Sequence, residues 1–160
     1  MRTPATISKA LESVFDGIRA ERMAEVPILN DALRVEAVGF REFGDNFLGV
    51  LVTPWFMNLM LLPGEAGAWD EDRPGEKLRH TLPAGDFEFI AGHEDGIGHY
   101  RMCSLFSPMF EFADHEAAVE TAAAVMEGVL KAHDAAGEAE TPAKKPLSRR
   151  ELFRQLAGGA

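Results

Sequence analysis

The fold is decided by the stretch Phe47-Leu48-Gly49-Val50-Leu51-Val52-Thr53-Pro54-Trp55-Phe56-Met57-Asn58-Leu59-Met60-Leu61-Leu62. Residues 47–53, which end in Thr53, are apolar on both faces rather than at alternate positions, and residues 57–62 form a second such run with Asn58 as its one polar residue. Such runs are typical of strands that are buried on both faces of a sheet. Pro54 separates the two runs, because proline cannot donate a ladder hydrogen bond. The stretch therefore predicts two buried strands with a break between them.

Period-two patterns on both sides of this stretch predict further strands. Residues 33–37 alternate apolar and polar side chains, and the predicted strand continues towards Phe43 and leads through the short turn 44–46 into the first buried strand. Residues 86–92 alternate in the same way, the turn Gly96-Ile97-Gly98 follows, and residues 99–106 pair back. Consecutive strands that are joined by short turns form antiparallel sheets.

Two helices are predicted at the ends of this sheet. Thr3 and Pro4 form a plausible helix start, and apolar residues recur at helical spacing over Pro4 to Glu25, namely Ile7, Leu11, Val14, Phe15, Ile18 and Val26. Asp114 is a second candidate N-cap, and the apolar stripe of its helix consists of Val119, Ala122, Ala123, Met126, Val129 and Leu130. The predicted class is α+β: an antiparallel sheet of four to six strands with an N-terminal and a C-terminal helix, both packed on one face. Residues 1–133 form this single domain, and residues 134–160 are interpreted as a flexible linker and a basic tail.

The charge of the chain is unevenly distributed. Residues 141–160 carry five Lys or Arg and one Glu, hence +4, so residues 1–140 carry −14 of the total net charge of −10. An acidic surface repels the phosphates of nucleic acids and anionic lipids and attracts basic peptides. We therefore expect no nucleic-acid partner and no membrane insertion, and basic peptides become candidate partners.

Cysteine content and the N-terminal residues favour a cytoplasmic protein. Cys103 is the only cysteine among 160 residues, so an internal disulfide and a Cys-x-x-Cys metal site are both excluded. Residues 1–20 contain five charged side chains and no apolar core of a signal peptide.

Catalysis through Cys103 is not favoured. His99 and His93 are the histidines that could activate it, but four residues along a strand separate His99 from Cys103 by about 13 Å. That distance exceeds hydrogen-bond reach, and no phosphate loop or nucleophile motif occurs. The sequence predicts no catalytic residue, no cofactor and no metal.

Two clusters combine aromatic residues and methionine around a proline. The first cluster consists of Trp55, Phe56, Met57 and Asn58, and the second of Phe106, Met109 and Phe110. Because proline disturbs strand pairing, we expect both clusters at a sheet edge or rim. Methionine adapts to apolar segments of variable sequence, so we interpret the seven residues as a candidate peptide-binding groove.

These residues also carry a resemblance to a known family. Thr53-Pro54-Trp55-Phe56-Met57-Asn58-Leu59, residues 82–92 and Cys103-Ser104-Leu105-Phe106-Ser107-Pro108-Met109 resemble the HybE/HupJ family of NiFe-hydrogenase assembly chaperones. The resemblance covers about residues 7–130. It implies a non-catalytic maturation factor that binds the twin-arginine signal peptide of a hydrogenase small-subunit precursor and delays its export until assembly is complete. The large subunit is a second candidate partner.

Some relatives of that family carry a rubredoxin-like module with paired Cys-x-x-Cys motifs. Cys103 alone cannot hold an iron with four thiolate ligands, so no electron-transfer role is expected for this chain.

The basic tail contains a motif of its own, formed by Ser148, Arg149, Arg150 and Phe153. This motif resembles the core of a twin-arginine signal, although such signals stand at an N-terminus. Three explanations stay open: a signal copied for another purpose, a basic helical tail, and coincidence. On the first explanation the tail binds the groove of its own or a neighbouring chain.

Two other function classes stay open beside the chaperone. One is an enzyme or small-molecule-binding protein that uses an apolar pocket near Cys103 or His99, and the other is a structural subunit of a larger complex. Binding of a twin-arginine peptide would separate them, since the enzyme predicts none.

Overall fold

The structure is a computed structural model that describes residues 2–23, 27–65 and 67–131. The helices are α1 (Pro4–Glu21) and α2 (His115–Leu130), and the strands are β1 (Glu36–Phe43), β2 (Asn46–Val52), β3 (Met57–Pro63), β4 (Lys77–Leu82), β5 (Gly85–Glu94) and β6 (Gly98–Phe106). The predicted tail with Ser148, Arg149, Arg150 and Phe153, like Val26 and the predicted linker, lies outside the described residues.

The strands form one antiparallel sheet in the order β1-β2-β3-β6-β5-β4. The predicted α+β class, with two helices on an antiparallel sheet of up to six strands, is confirmed. β2 and β3 lie inside the sheet and are buried along almost their whole length, as their continuous apolar runs predict.

The prediction that both helices pack on one face is wrong. Leu11 and Phe15 of α1 pack with Phe47 and Leu51 of β2, in a cluster that defines the α1 face of the sheet. The side chains of α2 belong to a second cluster with the alternate residues of the same strand, Leu48, Val50 and Val52, on the α2 face. A strand with two apolar faces needs cover on both sides, so β2 and β3 require one helix above and one below.

The predicted helix boundaries need smaller corrections. α1 ends at Glu21 instead of Glu25, where the backbone N–H of Arg22 donates to the Ile18 carbonyl. Ile18 is the last apolar residue of the stripe within α1, and Met23 packs against the α1-face cluster from beyond the helix end. α2 begins after the predicted N-cap Asp114, whose side chain accepts from the Ala117 N–H. Ala123 is exposed, in contrast to the predicted stripe.

Strand β4 was not assigned from the sequence. It is an edge strand of six residues whose outward positions, including Lys77, Arg79 and Thr81, are exposed and polar. Short, charged edge strands resist pairing with other chains. The same polar composition makes the alternating pattern of such a strand hard to recognise in the sequence.

Candidate peptide-binding groove

The two aromatic clusters meet at one end of the central strands. Met57 opens β3 and pairs with Val52 of β2 on one side and with Phe106, the last residue of β6, on the other. The prediction that the proline-containing segments lie at the rim of the sheet is therefore confirmed.

A tight turn over residues 53–56 joins β2 to β3 and sets the first cluster. The buried Thr53 hydroxyl oxygen accepts the backbone N–H groups of Trp55 and Phe56 at 3.2 and 2.9 Å, and the Thr53 N–H donates to the Phe56 carbonyl at 2.9 Å. Because the hydroxyl satisfies these donors, Pro54 can stand in a buried turn without orphaned backbone groups. The turn holds the rings of Trp55 and Phe56 edge to face, with centroids 5.4 Å apart, beside Phe15 of α1.

Asn30 links this turn to the second cluster. Its backbone N–H donates to the Pro54 carbonyl at 2.8 Å, and its side-chain amide donates to the carbonyls of Met109 and Phe112, both at 2.9 Å. This role of Asn30 was not predicted from the sequence. An Asn in a loop is an ordinary turn former, and nothing in its neighbours indicates such a long-range role.

The sheet divides the seven predicted binding residues between its two faces. Trp55 and Phe56 pack in the α1-face cluster, and Asn58 points to the same face. Met57 and Met109 are fully buried in the α2-face cluster, against which Phe106 also packs. Phe110 is 58% exposed. That these residues bind a peptide stays a prediction, but they do not form one continuous surface.

A groove of about 320 Å³ lies on the α1 face, beside the C-terminal half of α1, where the helix leaves the sheet uncovered. Its lining combines aromatic, aliphatic and methionine side chains with a few polar groups: Phe15, Ile18, Trp55, Phe56, Asn58, Met60, Ile90, Glu94, Tyr100, Met102, Ser104 and Ser107. Three of the predicted residues, Trp55, Phe56 and Asn58, therefore belong to it.

The floor of the groove consists of cross-strand neighbours. Met102 of β6 pairs with Met60 of β3 and with Ile90 of β5, which gives an apolar row across three strands. Asn58 stands next to this row, only 4% exposed, and its amide Nδ2 donates to the Met102 sulfur at 3.3 Å. A thioether is a weak acceptor, so a peptide carbonyl would be a better partner for this amide.

Tyr100 forms one wall and depends on a glycine. It pairs with Gly92 across β5 and β6, and a Cβ atom at Gly92 would lie 2.7 Å from the Tyr100 ring. Only glycine allows the ring to lie flat on the strand here. Burial, and after it the nearby Glu94 carboxylate, raises the pKa of Tyr100 to about 12.

Glu94 supplies the carboxylate of the groove. It is the last residue of β5, and its Oε1 accepts a hydrogen bond from Nη2 of Arg22 at 2.8 Å. The Arg22 side chain is 59% exposed and that of Glu94 24%. The apolar floor thus has an acidic rim that is already paired with an arginine of the same chain.

The Cys103 and histidine positions do not assemble into a reactive site. Cys103 pairs with Leu59 in the sheet and packs against the α2-face cluster, and burial raises its pKa to about 11. His93 and His99 are cross-strand neighbours with ring centroids 4.7 Å apart. Within residues 2–23, 27–65 and 67–131, no group of three His, Cys, Asp or Glu side chains could hold a metal ion.

A second charged pair, on the α2 side, fastens the polar loop after β3. The Arg101 guanidinium donates to both carboxylate oxygens of Asp72, at 2.8 and 2.9 Å, and lies 3.9 Å from the centre of the Trp69 ring. The hydrogen bonds from Arg101 hold the pKa of Asp72 below its usual value. Both side chains of the pair are more than four-fifths buried, so it fixes the loop in place.

Among the helices of the described residues, none has the length and apolar character needed to cross a membrane.

Comparisons with known proteins place this fold in a family. The model of the family described as [NiFe]-hydrogenase assembly chaperone HybE matches residues 6–155. The hydrogenase expression/formation protein HupJ of Bradyrhizobium diazoefficiens is 45% identical over 146 residues, which cover 90% of this chain and 85% of HupJ. The solution structure of HybE from Escherichia coli superimposes with a TM-score of 0.66 at 25% identity, covering 81% of this chain and 79% of HybE.

The fold is thus that of an assembly chaperone with an open antiparallel sheet. The chain belongs to the HybE family of [NiFe]-hydrogenase assembly chaperones, and the resemblance found in its sequence is confirmed. The probable rubredoxin HupJ of Rhodobacter capsulatus is 42% identical over 135 residues, but these cover only 48% of its length.

Proposed function

We propose that this chaperone binds the twin-arginine signal peptide of a [NiFe]-hydrogenase small-subunit precursor in the α1-face groove. Binding holds the precursor back from export until assembly is complete, which is a non-catalytic proofreading role in the cytoplasm. The observation that carries the proposal is the composition of the groove: an apolar floor of methionine and isoleucine, aromatic walls and a carboxylate at the rim. The hydrogenase large subunit is a second candidate partner.

The groove suits this type of peptide in two respects. A twin-arginine signal has a basic segment followed by an apolar one, and the groove has Glu94 at one side of the Met60–Met102–Ile90 row. About 320 Å³ is near the lower limit of ligand pockets, so it holds a few apolar side chains while the rest of the peptide lies outside. Met60 and Met102 can adapt to different apolar residues, which favours clients of variable sequence.

The position of Cys103 favours the chaperone over the small-molecule rival. That rival requires a pocket near Cys103 or His99, but Cys103 packs on the α2 side, and neither residue lines the groove. A structural subunit would use the same apolar surface as a permanent interface, and it differs in predicting no preference for arginine.

We also propose that the tail motif at Ser148, Arg149, Arg150 and Phe153 competes with the client for this groove. The support is the sequence similarity between the motif and the proposed client, together with the opposite charges of tail and domain.

A titration of the full chain with a synthetic twin-arginine signal peptide tests the proposal. We expect micromolar affinity that falls as salt rises, because arginines meet an acidic rim. Ser104, an exposed residue of the lining, allows a matched pair of variants. Ser104→Trp fills the groove with an indole and should weaken binding at least about tenfold, a loss that corresponds to about 1.4 kcal/mol. Ser104→Ala should change it little.

The proposal fails if the peptide does not bind at all. It also fails if Ser104→Trp, folded by circular dichroism, binds as tightly as Ser104→Ala. Equal affinity for peptides with the arginine pair and with a Gln pair would favour the structural-subunit alternative.

A further inference from the structure

We propose that Glu94 is the arginine-recognition residue of the groove and that Arg22 of the same chain takes the client arginine's place while the groove is empty. This inference rests on the proposed function, since it concerns how the same groove selects its peptide. It makes Arg22 an internal competitor that only an arginine-containing client displaces effectively.

The geometry places Arg22 where an incoming arginine would bind. Arg22 is the C-cap of α1, and its backbone N–H is fixed to the Ile18 carbonyl at 2.8 Å. Ile18 and Glu94 line the groove, and from the end of α1 the Arg22 side chain reaches Glu94, although Arg22 itself is not a lining residue. The pair therefore lies at the Glu94 end of the groove.

The pair has the character of an exchangeable contact. Arg22 contacts one oxygen of Glu94 through one nitrogen, at 2.8 Å, and its side chain is 59% exposed. In the same domain, Arg101 contacts both oxygens of Asp72, and the two side chains are only 14% and 12% exposed. Exposed ion pairs contribute little to stability, whereas bidentate, desolvated pairs are strong. A client arginine that covers Glu94 with its own chain can therefore replace Arg22.

The neighbours of Glu94 explain why a peptide that displaces Arg22 must supply a cation of its own. Glu94 lines the same groove as the apolar row but lies beyond the Gly92–Tyr100 pair on β5, and Tyr100 is buried. Removing water from a carboxylate without supplying a cation costs free energy. Displacement of Arg22 by an apolar peptide without arginine would therefore be unfavourable. The client must bring both an apolar segment and a guanidinium, and a lysine would be a poorer substitute because it lacks the planar fork.

The experiment measures binding of a twin-arginine peptide, and of the same peptide with its arginine pair replaced by Gln, to the full chain and its variants. Arg22→Gln should tighten binding of the arginine peptide by up to about fivefold, the range of an exposed ion pair. Glu94→Gln should weaken it about tenfold and flatten its salt dependence. In the Glu94→Gln background, Arg22→Gln should have no further effect.

Arg34 provides the matched control for net charge. It is also an exposed arginine in an ion pair, with Glu36 at 3.5 Å, and it does not line the groove. Arg34→Gln removes the same charge as Arg22→Gln and should leave peptide affinity unchanged.

Each outcome separates the inference from the proposed function. If the arginine peptide binds but Arg22→Gln leaves its affinity unchanged or lower, or acts no more strongly than Arg34→Gln, the inference is overturned and the groove remains the proposed site. If Arg22→Gln tightens the Gln peptide as much as the arginine peptide, Arg22 is only a steric obstacle and arginine recognition by Glu94 is wrong. If the arginine peptide binds no variant, the proposed function itself fails.

Discussion

Tyr100 reports on the groove because it is the only tyrosine of the chain. Its pKa of about 12 has two causes, burial and the Glu94 carboxylate, so Glu94→Gln should lower it. The folded state prefers the neutral phenol, hence the contribution of Tyr100 to the free energy of unfolding should be constant below about pH 10, the pKa of an unfolded tyrosine, and be lost as pH rises towards 12. Absorbance at the tyrosinate band measures the pKa directly. A midpoint near 10 in the folded protein would place Tyr100 in water and contradict the described wall.

The reactivity of the Cys103 thiol tests the alternative that the protein is an enzyme. Burial raises the pKa of its thiol to about 11, so very little thiolate exists near pH 8. A disulfide reagent should react at least about 100-fold more slowly with the native protein than with the protein in denaturant. Rapid reaction in the native state would instead indicate an accessible, activated thiol and support a reactive site.

At the scale of elements, Asn30 joins the loop before β1 to the turn after β2 and the segment after β6. Asn30→Ala removes the side-chain bonds to Met109 and Phe112 and leaves two partly buried carbonyls without this donor. We expect the free energy of unfolding to fall by about 2–3 kcal/mol, measured by urea denaturation. The adjacent exposed residue gives the control, since Asp31→Ala should cost no more than about 0.5 kcal/mol. Equal effects of the two substitutions would show that the Asn30 side chain does not tie these elements together.

Local patterns predicted most of these elements but not their arrangement. The helices, five of the six described strands and the rim position of the proline segments follow from apolar periodicity and from the chemistry of proline. The two-sided apolar runs of β2 and β3 require cover on both faces, which the prediction of two helices on one face does not provide. Edge strand β4 was not predicted because His80, a polar residue, occupies one of the three inward positions of a short strand and obscures the alternation.

The groove shows a different limit of sequence-based prediction. Trp55, Phe56 and Asn58 were identified because they stand in one unusual segment. Met102, Ile90 and Glu94 come from strands that are distant in sequence, and only the pairing of β3, β6 and β5 brings them to the same surface. Composition cannot indicate such a set, because its members share no local pattern.

At the scale of the whole molecule, the tail proposal predicts autoinhibition. A tethered segment reaches an effective concentration in the millimolar range, so a tail motif with an intrinsic Kd near 1 mM would occupy the groove about half of the time. Truncation after Ala143 should then tighten client-peptide binding about twofold, and Arg149→Gln/Arg150→Gln should reproduce much of this gain. We expect Tm to change little, because the described residues of the domain already supply two core clusters. Unchanged or weaker binding after truncation would contradict the competition.

The central claim is that the client peptide binds on the α1 face, and the methionines provide probes on both faces. Met60 and Met102 line the groove, whereas Met57, Met109 and Met126 are buried in the α2-face cluster. The most direct test is a titration of the full chain, carrying 13C-labelled methionine methyl groups, with the twin-arginine peptide, followed by NMR. We predict that the signals of Met60 and Met102 shift and that the partly exposed Met102 shows contacts to apolar side chains of the peptide, while the Met57, Met109 and Met126 signals stay in place. Shifts confined to the α2-face methionines, or no shift at a peptide concentration that saturates calorimetric binding, would contradict the account.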